Sequence, residues 1–235
     1  MIRRLYDSPV VLGELEHELA QAERRHHDTQ AVARSTRMTD DGRLVVDGTP
    51  HRLLPRALDQ LAAKLRVPAS YLGRCPTDLA ATNVNRWLET SDARLLVRFD
   101  GDAVRAVLST RYRPVSHLEV VRGLLQSVPE DTPVRYELQA NLFMAQVLTP
   151  GHMSIGLHGG INVLNSETGH AAVQLAAMVF RTICLNGLIL GGQDVALRRR
   201  HTHDAARTLE ELRGTSPDAA TSGDRALGHL GTHCQ

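Results

Sequence analysis

The sequence predicts an α+β fold, in which N-terminal helices are followed by a mainly antiparallel, curved sheet with a β-hairpin–helix unit. Three observations lead to this prediction. Apolar residues recur at helical spacing in several segments before residue 90, a tight turn joins two apolar strands near residue 100, and polar and apolar residues alternate from residue 134 onward. Because the later strands follow one another without intervening helices, a doubly wound parallel sheet is not favoured.

The first part of the chain predicts a helix and a short hairpin. Residues 10–33 carry an apolar stripe at helical spacing and predict one polar helix. Residues 34–49 predict a hairpin with turns at Asp41–Gly42 and Asp47–Gly48, since Asp-Gly pairs favour tight turns. Together these elements form a predicted N-terminal region over residues 1–52.

Two more helices are predicted before residue 90. Residues 55–65 have apolar side chains at helical spacing, and Pro68 lies just beyond the end of this segment. Residues 77–88 predict the second helix, and we expect the side chain of Thr77 or Asp78 to cap its first free backbone amides.

A hairpin followed by a capped helix is the strongest local pattern. Residues 94–99 and 103–108 read as two strands joined by a two-residue turn at Asp100–Gly101. Ser116 and Glu119 have the spacing of a capping box, which opens a helix predicted to run to about residue 127.

The following region predicts consecutive strands. Residues 134–148 alternate between apolar and polar side chains and predict one long strand with a wet face that carries Arg135. Shorter strands are predicted at 153–157 and 161–164, and alternation favours a strand over 171–180. We expect a main domain over residues 53–213 and a disordered, low-complexity tail over residues 214–235.

Composition limits the function classes. Hydrophobic residues make up 42% of the 235 positions and charged residues 23%, which is typical of globular proteins. The formal net charge is +1, so a nucleic-acid site has to be a local patch. Of the 27 basic residues only Lys64 is a lysine, and arginine suits bidentate phosphate contacts, although codon bias in a GC-rich genome gives the same skew.

The cysteine pattern and the lengths of the apolar runs indicate the cellular compartment in which the protein is expected. The three cysteines, Cys75, Cys184 and Cys234, show no C-x-x-C spacing, so a disulfide framework or a cysteine-rich zinc site is not indicated. The first residues lack the apolar core of a signal peptide, and no apolar run approaches the roughly 20 residues of a membrane span. The histidines match no complete zinc pattern, and there is no phosphate-binding glycine motif. We therefore expect a cytoplasmic protein without a cofactor, a metal or a membrane span.

Four short motifs occur in order after residue 110: R-Y-R-P at 111–114, N-S-E-T-G at 165–169, R-T-I-C-L-N-G at 181–187 and R-H-T at 200–202. This ordered set resembles the family called domain of unknown function 932, over roughly residues 57–207. The resemblance implies a phage, plasmid or bacterial setting and no established reaction. Such proteins usually continue with a long helical stretch, so we expect this chain to be truncated. The family-motif residues are Asn165, Ser166, Glu167, Gly169, Arg181, Cys184, Asn186, Gly187, His201 and Thr202.

Our leading hypothesis is a non-enzymatic protein of mobile-element origin that binds nucleic acid such as single-stranded DNA. Two guanidinium groups and a phenol beside a helix N-terminus suit a phosphate backbone and a stacked base, although a buried tyrosine ring between solvated arginines explains the same residues. The expected contact residues are Arg105, Arg111, Tyr112, Arg113, Arg135, Arg198, Arg199 and Arg200.

Two other functions remain open. The first is a small enzyme or ligand-binding protein built around Arg181, Cys184, Asn186 and Glu167, with His201 as a base for the thiol. Turn formation by the N-S-E-T-G and Asn-Gly segments and burial of a free cysteine account for these residues equally simply, so we expect no catalysis. The second is a protein–protein interaction or assembly factor, including a homo-oligomer, which an exposed apolar patch would indicate.

Overall fold

The computed structural model of the protein describes residues 8–148, 157–181, 188–189, 195–199 and 201. Its helices are α1 (Leu12–Glu23), α2 (Pro55–Leu65), α3 (Ala69–Leu72), α4 (Thr77–Leu88) and α5 (His117–Leu124), with a 3₁₀ turn at Ala33–Ser35. Its strands are β1 (Val10–Val11), β2 (His26–Val32), β3 (Arg37–Met38), β4 (Arg43–Val46), β5 (Thr49–Leu53), β6 (Arg94–Asp100), β7 (Ala103–Ser109), β8 (Pro133–Leu138), β9 (Phe143–Leu148), β10 (Leu157–Asn165), β11 (Val173–Arg181), β12 (Leu188–Ile189) and β13 (Val195–Arg199). The α+β class is confirmed.

The chain divides into two compact units. One unit combines residues 1–21 with 113–235, and we call it the host unit; residues 22–112 form the inserted unit. Residues on both sides of position 52 therefore belong to the same unit. The predicted hairpin and the capped helix both form, but the hairpin lies in the inserted unit and α5 in the host unit.

The host unit is built on an antiparallel sheet in the order β1-β8-β9-β10-β11-β12, with β13 paired to β11. The apolar stripes of α1 and α5 pack with one face of this sheet, because residues at i, i+3 and i+4 share one side of a helix. The largest fully buried side chains of this core are Leu12, Leu15, Leu124, Phe143, Ile161 and Leu175.

The inserted unit has a six-stranded sheet in the order β2-β6-β7-β5-β4-β3, in which β5 and β7 are parallel neighbours and the other pairs are antiparallel. Helices α2 and α4 contribute their apolar sides to its core. The largest fully buried side chains there are Leu44, Leu61, Val84, Leu88 and Leu95.

The helix predicted over residues 10–33 is wrong beyond residue 23. Residues 26–32 instead form β2, which pairs antiparallel with β6. The segment is polar, and Asp28 accepts from the Nε of Arg98 at 2.9 Å, a contact with a residue 70 positions away that no helical pattern reveals. Sheet pairing therefore overrides the local helical spacing.

The single strand predicted over residues 134–148 is also wrong, because β8 and β9 form a hairpin. Backbone N–H of Gln139 donates to the carbonyl of Leu142 at 2.8 Å and closes the turn between them. The turn reverses which positions face the core: Phe143, Ala145 and Val147 are buried, whereas Met144 is only partly buried. A turn shifts the alternation by one residue because strand side chains have a period of two.

Several local predictions are confirmed and two need correction. The turn at Asp47–Gly48 has positive φ angles of 48° and 80°, and residues 173–181 form a strand. The residue that caps α4 is Pro76, with no side-chain cap hydrogen bond, so the expected capping by Thr77 or Asp78 is wrong. Asp100 pairs with Ala103, which moves the hairpin turn one residue along the chain.

Some predictions fall outside the described residues. These are the strand expected at 153–157, apart from its last residue, and the disordered tail expected at 214–235. Within the described part of the chain, no helix combines the length and apolar character that crossing a bilayer requires.

Candidate nucleic-acid interface

Four consecutive polar residues at the end of β10 are buried: Asn165, Ser166, Glu167 and Thr168 have exposed fractions of 0–3%. Oε1 of Glu167 accepts a hydrogen bond from the backbone N–H of His117, the first residue of α5, at 2.6 Å. A buried polar group is costly unless it is hydrogen-bonded, so this contact accounts for the burial of the carboxylate.

The start of α5 is held by three side chains. Oγ of Ser116 accepts from the N–H of Glu119 at 3.1 Å, and Oε2 of Glu119 accepts from the N–H of Ser116 at 2.7 Å, which confirms the capping box. The carboxylate of Glu167 accepts from the backbone N–H of His117, which lies between Ser116 and Glu119 in the chain. Free amides at a helix start need partners, and a carboxylate there also interacts favourably with the helix dipole.

Asn165 links the loop to the same helix. Its Nδ2 donates to the carbonyl of Val115 at 3.0 Å and lies 3.0 Å from Nδ1 of His117. Nδ1 of His117 also lies 3.8 Å from Oε1 of Glu167. The ring also packs on Phe143, with centroids 5.0 Å apart. Oδ1 of Asn165 makes no hydrogen bond to any residue that the structure describes.

The remaining motif residues shape the turn. Oγ of Ser166 accepts from the N–H of His170 at 2.9 Å, and Gly169 adopts a positive φ of 71°. Oγ1 of Thr168 lies 3.4 Å from Oδ1 of Asn141 in the β8–β9 turn. The N-S-E-T-G motif is therefore a buried turn that positions α5.

His201 of the R-H-T motif contacts the chain just before α5. Backbone N–H of Arg113 donates to the carbonyl of His201 at 2.6 Å, and His201 is buried. Among the residues of the enzyme hypothesis, Glu167 is hydrogen-bonded to the first residue of α5. Cys184 and Asn186 lie outside the described residues, and so do Gly187, Arg200 and Thr202. For Arg181 and Arg199 the structure describes the strand backbone only.

The face of the host sheet opposite the core carries polar side chains in register, with the apolar residues Met144, Leu164 and Ala176 between them. Arg135 on β8 lies opposite Gln146 on β9, which lies opposite Asn162 on β10. In the next row, Leu164 pairs with Gln174 on β11, which lies opposite the exposed Arg198 on β13. The side chains of Arg135, Gln146, Asn162 and Gln174 are half-buried.

The structure brings only some of the predicted arginines together. Arg135 and Arg198 share the polar sheet face. Arg105 lies in the inserted unit, where its guanidinium is 2.6 Å from Nε2 of His26. Arg111 is exposed and Tyr112 packs on the small cluster that includes Leu108, both also in the inserted unit.

A model of the family described as "Domain of unknown function (DUF932)" matches residues 104–227, which is more than half of the chain. The chain belongs to the DUF932 family. No curated protein and no solved structure matches it. The DUF932 match includes the four motifs and the polar sheet face, and it begins within β7 of the inserted unit.

One further surface lies before the DUF932 match and was missed by the sequence reasoning. Within the described residues, the exposed large hydrophobic side chains are Tyr71, Leu79 and Trp87, at 41%, 46% and 54% exposure, and all belong to α3 and α4. A usable signal was present: positions 79, 83 and 87 repeat every four residues, on the side of the helix away from the buried Ala81 and Leu88.

A cleft of about 430 Å³ opens on another side of α4. Asn85 and Glu89 line it together with Arg34 and Arg37, but the side-chain amide of Asn85 is occupied by the backbone of Met38 at 2.6 and 2.8 Å. Among the residues of the enzyme hypothesis that the structure describes with their side chains, neither Glu167 nor His201 lines this cleft.

Proposed function

We propose that this DUF932 protein binds single-stranded nucleic acid, with the phosphate backbone lying across the polar face of the host sheet. The observation that carries the proposal is the row of Arg135, Gln146 and Asn162 on three adjacent strands, continued by Gln174 and Arg198 in the next row. Side chains in register on one face of a sheet form a continuous surface.

The chemistry of this row suits a sugar–phosphate backbone. Guanidinium groups bind phosphate oxygens through paired, charge-assisted hydrogen bonds. The amides of Gln146 and Asn162 both donate and accept, as contacts to phosphate, sugar and base edges require. Four strand spacings of about 4.8 Å separate Arg135 from Arg198, which gives roughly 19 Å and room for several nucleotides.

The charge and composition of the face also support backbone contacts. On the two described rows of this face there are two basic side chains, Arg135 and Arg198, and one acidic side chain, Glu137. The face is therefore more basic than the whole chain, in which acids and bases nearly balance. None of the side chains that the structure describes on this face is aromatic, so the proposal rests on backbone contacts and not on stacking. We therefore expect little sequence preference and a strong dependence on salt. A mobile-element role, which the family resemblance implies, is compatible with handling single strands.

A titration of a fluorescein-labelled oligonucleotide, followed by anisotropy at 50 and 200 mM salt (roughly the range over which phosphate contacts weaken most measurably), tests the proposal. We expect binding at the lower salt that weakens at the higher one. The double variant Arg135→Gln, Arg198→Gln should reduce the salt slope by about 1.4, at roughly 0.7 for each lost phosphate contact on a single strand.

Arg122→Gln is the matched control, because Arg122 lies on α5 of the same unit and its Nε donates to Glu16 at 2.7 Å. It should bind like the parent protein. Absence of binding at low salt, or binding indifferent to salt, would refute the function. A double variant with the parent salt slope would refute the sheet face as its location.

A further inference from the structure

We infer that the outer face of α3 and α4 is a stacking site for unpaired bases, formed by Tyr71 and Trp87 with Arg74 and Arg86 beside them. The inference rests on the proposed function and adds a second contact region, in the inserted unit and before the residues that the family model matches.

The exposure of these rings is the first observation. Trp87 is 54% and Tyr71 41% exposed, although burying a large ring is among the most favourable contributions a side chain makes to folding. The packing of α4 does not need Trp87, since its buried residues are Ala81, Val84 and Leu88. Exposed apolar clusters on soluble domains mark interaction sites.

The two rings belong to one surface. Leu79, Asn83 and Trp87 are spaced by four residues along α4 and share one face of the helix. Nδ2 of Asn83 donates to the hydroxyl of Tyr71 at 3.2 Å, which ties the tyrosine on α3 to that face. Two aromatic side chains, a polar amide and an apolar residue thus lie side by side.

The charge around this surface favours a polyanion as its occupant. Residues 64–89 carry four basic and two acidic side chains, whereas the whole chain is almost balanced at 27 and 26. Arg74 and Arg86 are both exposed, and Arg86 directly precedes Trp87. Asp78 lies in the first turn of α4, where a carboxylate interacts favourably with the helix dipole.

Unpaired bases fit both properties of this surface. Stacking on an aromatic ring requires a free base face, and it is tolerant of sequence because every base has one. Guanidinium groups next to the rings provide phosphate contacts and can themselves stack on bases. A hydrophobic protein partner would use the apolar area but would not require aromatic rings, and this difference decides the design of the test.

The test uses the full chain and a labelled oligothymidine, with two readouts. Trp87 is the only tryptophan, so its intrinsic fluorescence reports directly on this surface, while anisotropy of the label reports total binding. We expect quenching of Trp87 that saturates together with the anisotropy. Trp87→Leu, which keeps apolar area but removes the ring, should weaken binding roughly tenfold, within the range measured for loss of one stacked base.

Two variants provide matched controls. Trp87→Phe keeps an aromatic ring and should bind within about threefold of the parent, because stacking is retained in part. Leu79→Ala removes exposed apolar area from the same helix face but no ring, so it should weaken binding much less than Trp87→Leu. Far-UV circular dichroism and urea unfolding establish that each variant is folded.

Each outcome separates the inference from the function on which it rests. Binding seen by anisotropy without a change in Trp87 fluorescence, and with normal affinity in Trp87→Leu, overturns the stacking site and leaves the proposed function intact. No binding by either readout overturns both. Equal losses in Leu79→Ala and Trp87→Leu would show that apolar area, and not the aromatic ring, carries the binding, and would overturn the inference. A lower molar mass of Trp87→Leu in light scattering indicates a self-contact and also overturns it.

Discussion

The cluster at the start of α5 and the outer face of α3 and α4 differ most in solvent exposure. Asn165 and Glu167 are almost completely buried and their hydrogen bonds are made within the protein, whereas Tyr71 and Trp87 are about half exposed. Buried polar side chains have their bonding capacity used by the fold, while exposed rings keep a free face for a ligand. A motif of polar residues is therefore weaker evidence of a binding site than an exposed aromatic pair.

The largest expected effect on stability is at Glu167. Glu167→Ala should lower the free energy of unfolding by about 1–3 kcal/mol, because the amide of His117 loses its acceptor in a buried setting. Glu167→Gln keeps an acceptor oxygen and should restore most of the loss. Urea unfolding followed by circular dichroism measures both.

The matched control for Glu167 is Glu14→Ala, at an exposed position in the first turn of α1 of the same unit. A loss of similar size in the control, or none in Glu167→Ala, would contradict the view that the motif is a structural device. It would also remove the contrast between the two regions.

A smaller effect is expected at Ser116. Ser116→Ala removes the acceptor for the amide of Glu119 and should cost about 1 kcal/mol, the usual value for loss of an N-cap. The same urea measurement detects it. Ser127→Ala, an exposed serine beyond the end of α5, should be silent. An unchanged Ser116→Ala would show that Glu119 and Glu167 suffice to hold the helix start.

The smallest effect is expected at Trp87. Trp87→Leu should change the free energy of unfolding by less than about 0.5 kcal/mol, as is usual for surface positions away from the core. Loss of oligonucleotide binding in the same variant would support the view that this exposed face serves binding, whereas the cluster at the start of α5 serves stability. A stability loss above roughly 2 kcal/mol would instead make Trp87 a packing residue, because losses of that size come from cores.

Patterns that depend on neighbours in the chain were predictable from the sequence. The capping box of Ser116 and Glu119, the turn at Asp47–Gly48 and the helix over Pro55–Leu65 are set by side chains within a few residues of each other. Local hydrogen bonds and backbone preferences act at this range, so the order of residues carries the information.

Contacts between distant positions were not predictable in the same way. Glu167 meets His117 across 50 residues, and nothing in the N-S-E-T-G motif names its partner. The turn between β8 and β9 reverses the side-chain alternation, and β2 forms because β6 lies beside it. The exposed face with Trp87 had a local spacing signal, but exposure itself depends on what packs against α4.

The sequence by itself determined the α+β class, the main helix and turn signals and, through its ordered motifs, membership of the family. Only the tertiary structure decided that the hairpin and α5 belong to different units, that the polar motif is buried and that two aromatic rings remain exposed. The physical reason is that propensities and caps act over a few residues, whereas burial and strand register arise from the packing of segments far apart in the chain.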